Sequence, residues 1–171
     1  MAQASPKAQN VVEYGPYGSQ AKPNFDIIFD NTDRIKTLRI GNGFVVDGIG
    51  FDIIDQTGAT KTVYFGGYGH EFHTINFKDD ERITKITGFE GDYADMGGRR
   101  HIAQIKIYTT WRKEGYGPFG WLYNCTNVKA FDTGVPKEGP FVGFFGVTGN
   151  FLEGLGAYVL KVRLLLYFTT I

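Results

Sequence analysis

Gly15-Pro16-Tyr17-Gly18 returns as Gly66-Gly67-Tyr68-Gly69 and again as Gly117-Pro118-Phe119-Gly120, at an interval of 51 residues both times. Each copy runs glycine, proline or glycine, an aromatic ring, then glycine. A repeat of this length marks a chain built from similar structural units. Glycine at such points permits positive φ and the close approach of a neighbouring backbone. The three copies predict three small sheets around one shared core, with glycine-aromatic turns recurring on a pseudo-symmetric scaffold.

A second element keeps step with the first. Val46-Asp47-Gly48-Ile49-Gly50-Phe51 is matched by Leu152-Glu153-Gly154-Leu155-Gly156-Ala157. Each places a carboxylate between an aliphatic residue and a glycine, with a further glycine, Gly43 or Gly149, four positions upstream. The middle unit carries a looser copy, Ile102-Ala103-Gln104-Ile105-Lys106-Ile107, in which the acid is missing.

Between these landmarks the chain is a series of short apolar or alternating stretches. They cover 26–29, 35–40, 44–52, 60–65, 73–77, 83–89, 101–109, 128–131, 141–147, 155–160 and 161–168. Turn-forming clusters such as 30–33, 55–58, 78–81 and 136–140 separate them, and no stretch sustains a helical period. The chain therefore reads as all-β. The 171 residues fit a single domain with a real core. Residues 11–171 are expected to form that domain, behind a loose, flexible leader at 1–10.

Composition narrows the function. There are 24 glycines, and aromatic residues make up 16% of the chain, as suits a sheet protein with tight turns and large cross-strand rings. Lys+Arg and Asp+Glu balance at 18 each, so no basic stripe points to a nucleic acid partner. The longest strongly apolar run, 164–168, is too short for membrane insertion. The polar residues 1–10 lack the apolar segment of a secretion signal, and the single Cys125 fits a reducing compartment; together these predict a cytoplasmic protein.

Catalytic and metal chemistry find little support. His70 and His73 would fall on opposite faces of a strand, His101 has no evident partner ligands, and Cys125 has no sequence-level base. No paired carboxylates or triad can be assigned, so neither an enzyme nor a cofactor is expected.

The ordered set of motifs resembles the jacalin-related lectin family from about Val12 to Leu160. Its anchors are Gly15-Pro16-Tyr17-Gly18-Ser19 with Phe25-Asp26, Val46-Asp47-Gly48-Ile49 and Phe65-Gly66-Gly67-Tyr68-Gly69. They continue with Tyr116-Gly117-Pro118-Phe119-Gly120 and the stretch from Gly143 to Gly156. The resemblance implies a β-prism I fold, three four-stranded Greek-key sheets about a pseudo-threefold axis, binding carbohydrate without catalysis or metal. The family's ligand loop, glycine, three variable residues, aspartate, maps to Gly149, Asn150, Phe151, Leu152 and Glu153. Glutamate replaces the family's aspartate there, and the partner turn is Gly18, Ser19 and Gln20. A second site of some members maps to Gly43, Phe44, Val45, Val46 and Asp47 with Gly67, Tyr68 and Gly69. A third would use Trp121 and residues 93–101, without an acid.

These residue types suit a sugar. A carboxylate accepts neighbouring hydroxyls through two oxygens, glycine-loop amides donate to hydroxyl oxygens, and a ring covers the weakly apolar pyranose face. Phe151 and Phe44 are the candidate rings, although Phe151 competes with Leu152 for the inward direction of its strand. The added methylene of Glu153 shifts the acceptor relative to Asp47. The expected function is a lectin for mannose/glucose-type glycans, since residues 1–14 precede the first glycine turn and galactose preference in the family goes with a free amine there. The alternative is a lectin-like scaffold with a degenerate sugar site, acting in protein interaction or self-assembly. A homodimer is expected: the apolar 162–168 segment needs cover on its second face, which a partner subunit or the leader at 1–10 would supply.

Overall fold

In the computed structural model, which describes residues 10–30 and 32–162, the described residues form twelve strands. They are β1 (Val11–Gly18), β2 (Phe25–Ile28), β3 (Arg34–Asn42), β4 (Val46–Ile54), β5 (Thr60–Gly66) and β6 (Glu71–Asn76). The second half adds β7 (Ile83–Tyr93), β8 (Arg99–Thr109), β9 (Tyr116–Phe119), β10 (Cys125–Asp132), β11 (Phe141–Thr148) and β12 (Leu152–Leu160). One 3-10 turn, Ala94–Met96, sits between β7 and β8.

The strands pair antiparallel in three four-stranded sheets, ordered β5-β4-β3-β6, β10-β7-β8-β9 and β1-β12-β11-β2. In the first two, three consecutive strands form a meander and the fourth returns beside the first, the Greek-key order, and the third has the same arrangement with β1 completing the β11-β12 hairpin and β2 returning beside β11. This is the β-prism I architecture expected from the sequence. The first two sheets are contiguous in the chain. The third is assembled from both ends of the described chain.

The inner strands β4, β8 and β12 touch one another around the axis. They carry fully buried Ile49, Phe51, Ile102, Ile105, Ile107 and Leu152 into one core, where Phe51 stacks on Phe144 at 4.7 Å. The core rests on apolar area removed from water, about 25 cal/mol per Å².

The threefold equivalence can be read from ring contacts between sheets. Tyr17 of β1 stacks on Phe131 of β10 at 4.5 Å, Phe65 of β5 on Phe25 of β2 at 4.3 Å, and Phe119 of β9 lies against His73 of β6 at 4.8 Å. Tyr17, Phe65 and Phe119 are therefore the equivalent residues, and the glycines that follow them are Gly18, Gly66 and Gly120. Each of these has positive φ and lies so close to the carbonyl of Glu153, Asp47 or Ala103 respectively that a Cβ would overlap it.

This corrects the sequence register of the middle repeat. The structural counterpart of Gly18 is Gly66, three positions before the Gly69 that motif matching selects. Tyr68 is consequently not a packing ring like Tyr17 and Phe119 but stands 67% exposed. Two strands, β1 and β9, also occupy stretches that read as turns. Both are edge strands with irregular pairing near their prolines, where a missing N–H costs no ladder bond. The expected strand at 161–168 lies outside the described residues apart from Lys161 and Val162, as does most of the leader.

Candidate functional site

The hairpin loops β3–β4, β7–β8 and β11–β12 converge at one end of the prism. Val45, Tyr93 and Ala103 are buried there, with Met96, Leu122, Cys125 and Phe151 packed against them. Phe151 meets Tyr93 and His101 edge-on at 5.5 and 5.8 Å, so its ring closes the end of the prism rather than covering a sugar. Leu152 is fully buried in the main core, and Val45 is fully buried too. Phe151, Leu152 and Val45 can therefore shape a ligand loop but do not offer their side chains to it. The buried His101 donates from Nδ1 to the Arg99 carbonyl at 2.7 Å, and burial pushes its pKa down.

Above this plug the two candidate loops have the same backbone plan. The Gly149 amide donates to the Phe151 carbonyl at 3.1 Å, as the Gly43 amide does to the Val45 carbonyl at 3.0 Å. Each loop is met by its glycine turn: Ser19 N–H donates to the Glu153 carbonyl at 2.8 Å, and Gly67 N–H to the Asp47 carbonyl at 3.0 Å. The turns paired with each loop in the sequence thus lie beside them. The third position holds Ala103, which leaves that unit without an acceptor.

The carboxylates differ. Glu153, with a side chain 16% exposed, points its Oε1 back over Gly149 and lies 3.6 Å from Arg99 Nη2, across the axis on β8. Gly18 N–H is taken up by the Glu90 carboxylate, and Gln20 folds onto the Pro16 and Gly18 carbonyls at 3.0 and 3.1 Å. The Gly18 amide and the Gln20 side chain of this turn are thus engaged within the chain, and the Glu153 carboxylate has a cation beside it.

Asp47 is 7% exposed, and its Oδ2 has no hydrogen-bond partner among the described residues. A buried acceptor in that condition costs free energy and needs an explanation. Burial pushes the carboxyl up to about 6, with the Gly43 backbone acting weakly in the other direction. Tyr64 shares this environment: its hydroxyl donates to the Gly67 carbonyl at 2.6 Å and is raised by burial and by the Asp47 charge. Oδ2 lies next to Gly43, and the Gly43 side of the loop is bordered by His70.

Trp121, expected beside residues 93–101, also reaches the Asp47 loop. Its N–H donates to the Gly43 carbonyl and that of Tyr123 to the Phe44 carbonyl, both at 3.1 Å. Phe44 lies 4.5 Å from Tyr123 and 5.7 Å from Trp121, ring centre to ring centre. The sequence reading missed this grouping, and Arg99 beside Glu153, because each glycine turn leans on the loop of the next sheet as well as its own. Gly67 shows the same habit: a Cβ on it would overlap the Asn150 carbonyl.

A cleft of about 830 Å³ runs between residues 15–20 and Glu90, Arg100 and residues 129–132. Its Arg100 is already bound to Glu90 at 3.1 Å and Asp92 at 3.0 Å. That network is satisfied internally, so volume alone does not outweigh the unpaired acceptor at Asp47.

Comparison with known proteins agrees with the architecture. The jacalin-like lectin domain model matches residues 14–158. Horcolin of Hordeum vulgare is 26% identical over 156 residues, covering 86% of this chain and 96% of that protein. The Malaysian banana lectin structure superposes with a TM-score of 0.73 at 31% identity, over 89% of this chain and 99% of that one. A mannose binding jacalin related lectin from Ananas comosus gives 0.71 at 23% identity, over 89% and 99%, which speaks to the fold. With a prism of three Greek-key sheets and a family match across nearly all of it, the chain belongs to the jacalin-like lectin domain family, whose members bind carbohydrate and do not catalyse.

Proposed function

We propose that this lectin domain recognises mannose/glucose-type glycans and that Asp47 anchors its working sugar site. The observation that carries this reading is the buried Asp47 Oδ2, an ionisable acceptor with no partner among the described residues, at the mouth of two glycine turns. A pyranose with two adjacent hydroxyls supplies the missing donors. The mannose binding described for the Ananas comosus relative is in keeping with this class of ligand. Glu153 acts as a drifted counterpart whose acceptor faces Arg99, and that pair is the observation favouring an interaction role for the Glu153 loop alone. Pairing of two copies belongs to the same proposal. The apolar segment that motivates it lies beyond the described residues, and sedimentation as a single 19.1 kDa species at micromolar concentrations would rule it out.

Calorimetric titration with methyl α-mannoside, methyl α-glucoside and methyl α-galactoside tests the specificity. The first two are expected to bind with one site per chain and to lose that binding in Asp47→Asn. A galactoside-only response overturns the specificity. Silence towards every sugar turns the reading to an interaction module.

A further inference from the structure

Two glycines bracket the Asp47 carboxylate, and an exposed ring follows each. Gly43, beside Oδ2, is followed by Phe44; Gly67, beside the Asp47 Cβ, is followed by Tyr68. On one flank Phe44 continues into Trp121 and Tyr123. On the other, Tyr68 stacks on Tyr64 at 5.0 Å and meets Phe72 at 5.3 Å. His70 lies 5.6 Å from Trp121 and extends the first flank, so rings edge the acid on both sides as an interrupted belt.

The scaffold does not require these rings. At the equivalent places beside Glu153 stand Asn150 and Gln20, on the same backbone plan. Phe44, Tyr68, Phe72, Trp121 and Tyr123 are all exposed, and clustered exposed rings on both sides of one buried acceptor mark a contact surface. Carbohydrate is the occupant that suits both parts. The acid takes hydroxyls, the flat rings take the C–H faces of further pyranoses, and the negative charge at the centre disfavours an anionic chain.

We propose that the Asp47 site is the centre of an extended groove for a neutral linear oligosaccharide of at least three pyranoses. One unit is held at Asp47, with its neighbours stacked over the Trp121–Phe44–Tyr123 flank and the Tyr68–Phe72 flank. The inference rests on the Asp47 reading given above. It adds that the ligand runs through the site in both directions, so internal units of a chain are recognised and a single sugar uses only the middle.

The test compares methyl glycosides with linear trisaccharides of mannose and of glucose, α- and β-linked, by calorimetry. At least one trisaccharide is expected to bind about tenfold more tightly than its methyl glycoside. Trp121→Ala and Tyr68→Ala are each expected to bring that ratio down severalfold, while Trp111→Ala, an exposed ring elsewhere, leaves it unchanged. Trisaccharides no tighter than methyl glycosides overturn the extended groove, as does a ratio that survives both ring variants. Ring variants that change only the sedimentation of the sugar-free protein would make the belt a self-pairing surface and also overturn it. Wild-type binding in Asp47→Asn is a separate result, which sinks the anchoring role of Asp47 instead.

Discussion

Asp47 and Glu153 stand at the same point of two different sheets, yet Glu153 faces Arg99 at 3.6 Å while Asp47 keeps a buried oxygen unpartnered among the described residues. Equivalent backbone has thus been given opposite electrostatic surroundings. The Glu153 carboxylate has the charge of a guanidinium beside it, whereas the Asp47 carboxylate keeps a desolvated, unpartnered oxygen for a ligand.

The contrast should appear in stoichiometry. Glu153→Ala is expected to leave one sugar site per chain with affinity altered less than about threefold, since the pair it breaks is long and Arg99 is largely exposed. Arg99→Ala combined with Glu153→Asp restores the family's aspartate and removes the cation beside it. A second binding phase in calorimetry is the expected result; a single unchanged phase would show that this loop is closed for other reasons.

Acidification should weaken binding. The Asp47 carboxyl is raised by burial to about 6, above its unfolded value of about 4. Sugar binding that needs the ionised form is therefore full at pH 7 and about tenfold weaker at pH 5. Stability moves the other way. A raised carboxyl pKa means the folded state takes up the proton first, so the burden of the buried charge is relieved as pH falls from above 6 towards 4. Titrations and melting curves from pH 7.5 to 5 check both signs, and Asp47→Asn should flatten the affinity profile.

At the opposite sign lies Asp52, bound to Arg39 by two contacts of 2.6 and 2.7 Å and to Thr62 at 2.6 Å. The Arg39 guanidinium holds its carboxyl down at about 2. Its contribution is fully present above pH 4 and lost as pH falls through about 2. Acid unfolding should begin at higher pH in Arg39→Ala, as followed by circular dichroism.

Glu81 is a structural counterpart to the binding acids. It is 1% exposed and accepts from the Thr109 hydroxyl at 2.5 Å, the Tyr116 hydroxyl at 2.8 Å and the Lys78 N–H at 3.0 Å. It therefore ties the turn before β7 to β8 and β9. Glu81→Ala strands three donors and is expected to cost about 2 to 4 kcal/mol in urea unfolding, with sugar affinity preserved in the folded fraction.

Gly67→Ala should act on the site through the backbone. A Cβ there meets the Asn150 carbonyl, so the turn must withdraw from that loop and carry the amide that holds the Asp47 carbonyl with it. Sugar affinity is expected to fall at least tenfold with only a modest drop in melting temperature.

The sequence made the prism legible because glycine-aromatic turns and acid-glycine strand starts recur where the fold is most constrained. Its errors have local causes. Gly66-Gly67-Tyr68-Gly69 imitates the other two turns, but Phe65 is the ring that packs between sheets. Proline and glycine made β1 and β9 look like turns, although edge strands tolerate both. Of the candidate site, the loops that hold Asp47 and Glu153 were visible through their spacing. Arg99 and Trp121 were not, since each reaches its partner from another sheet, and the placement of sheets around an axis leaves no periodic trace in the chain.

The way the third sheet is closed has a consequence for order of assembly. β3 to β6 and β7 to β10 each complete a sheet from neighbouring chain, whereas β1 and β2 must wait for β11 and β12. During synthesis the rings and the acid around Asp47, all contained in residues 43–123, can meet before the final hairpin has emerged. The Glu153 loop, by contrast, meets its glycine turn at Ser19 only once the two ends of the domain have found each other, which makes that contact the natural reporter of a finished molecule.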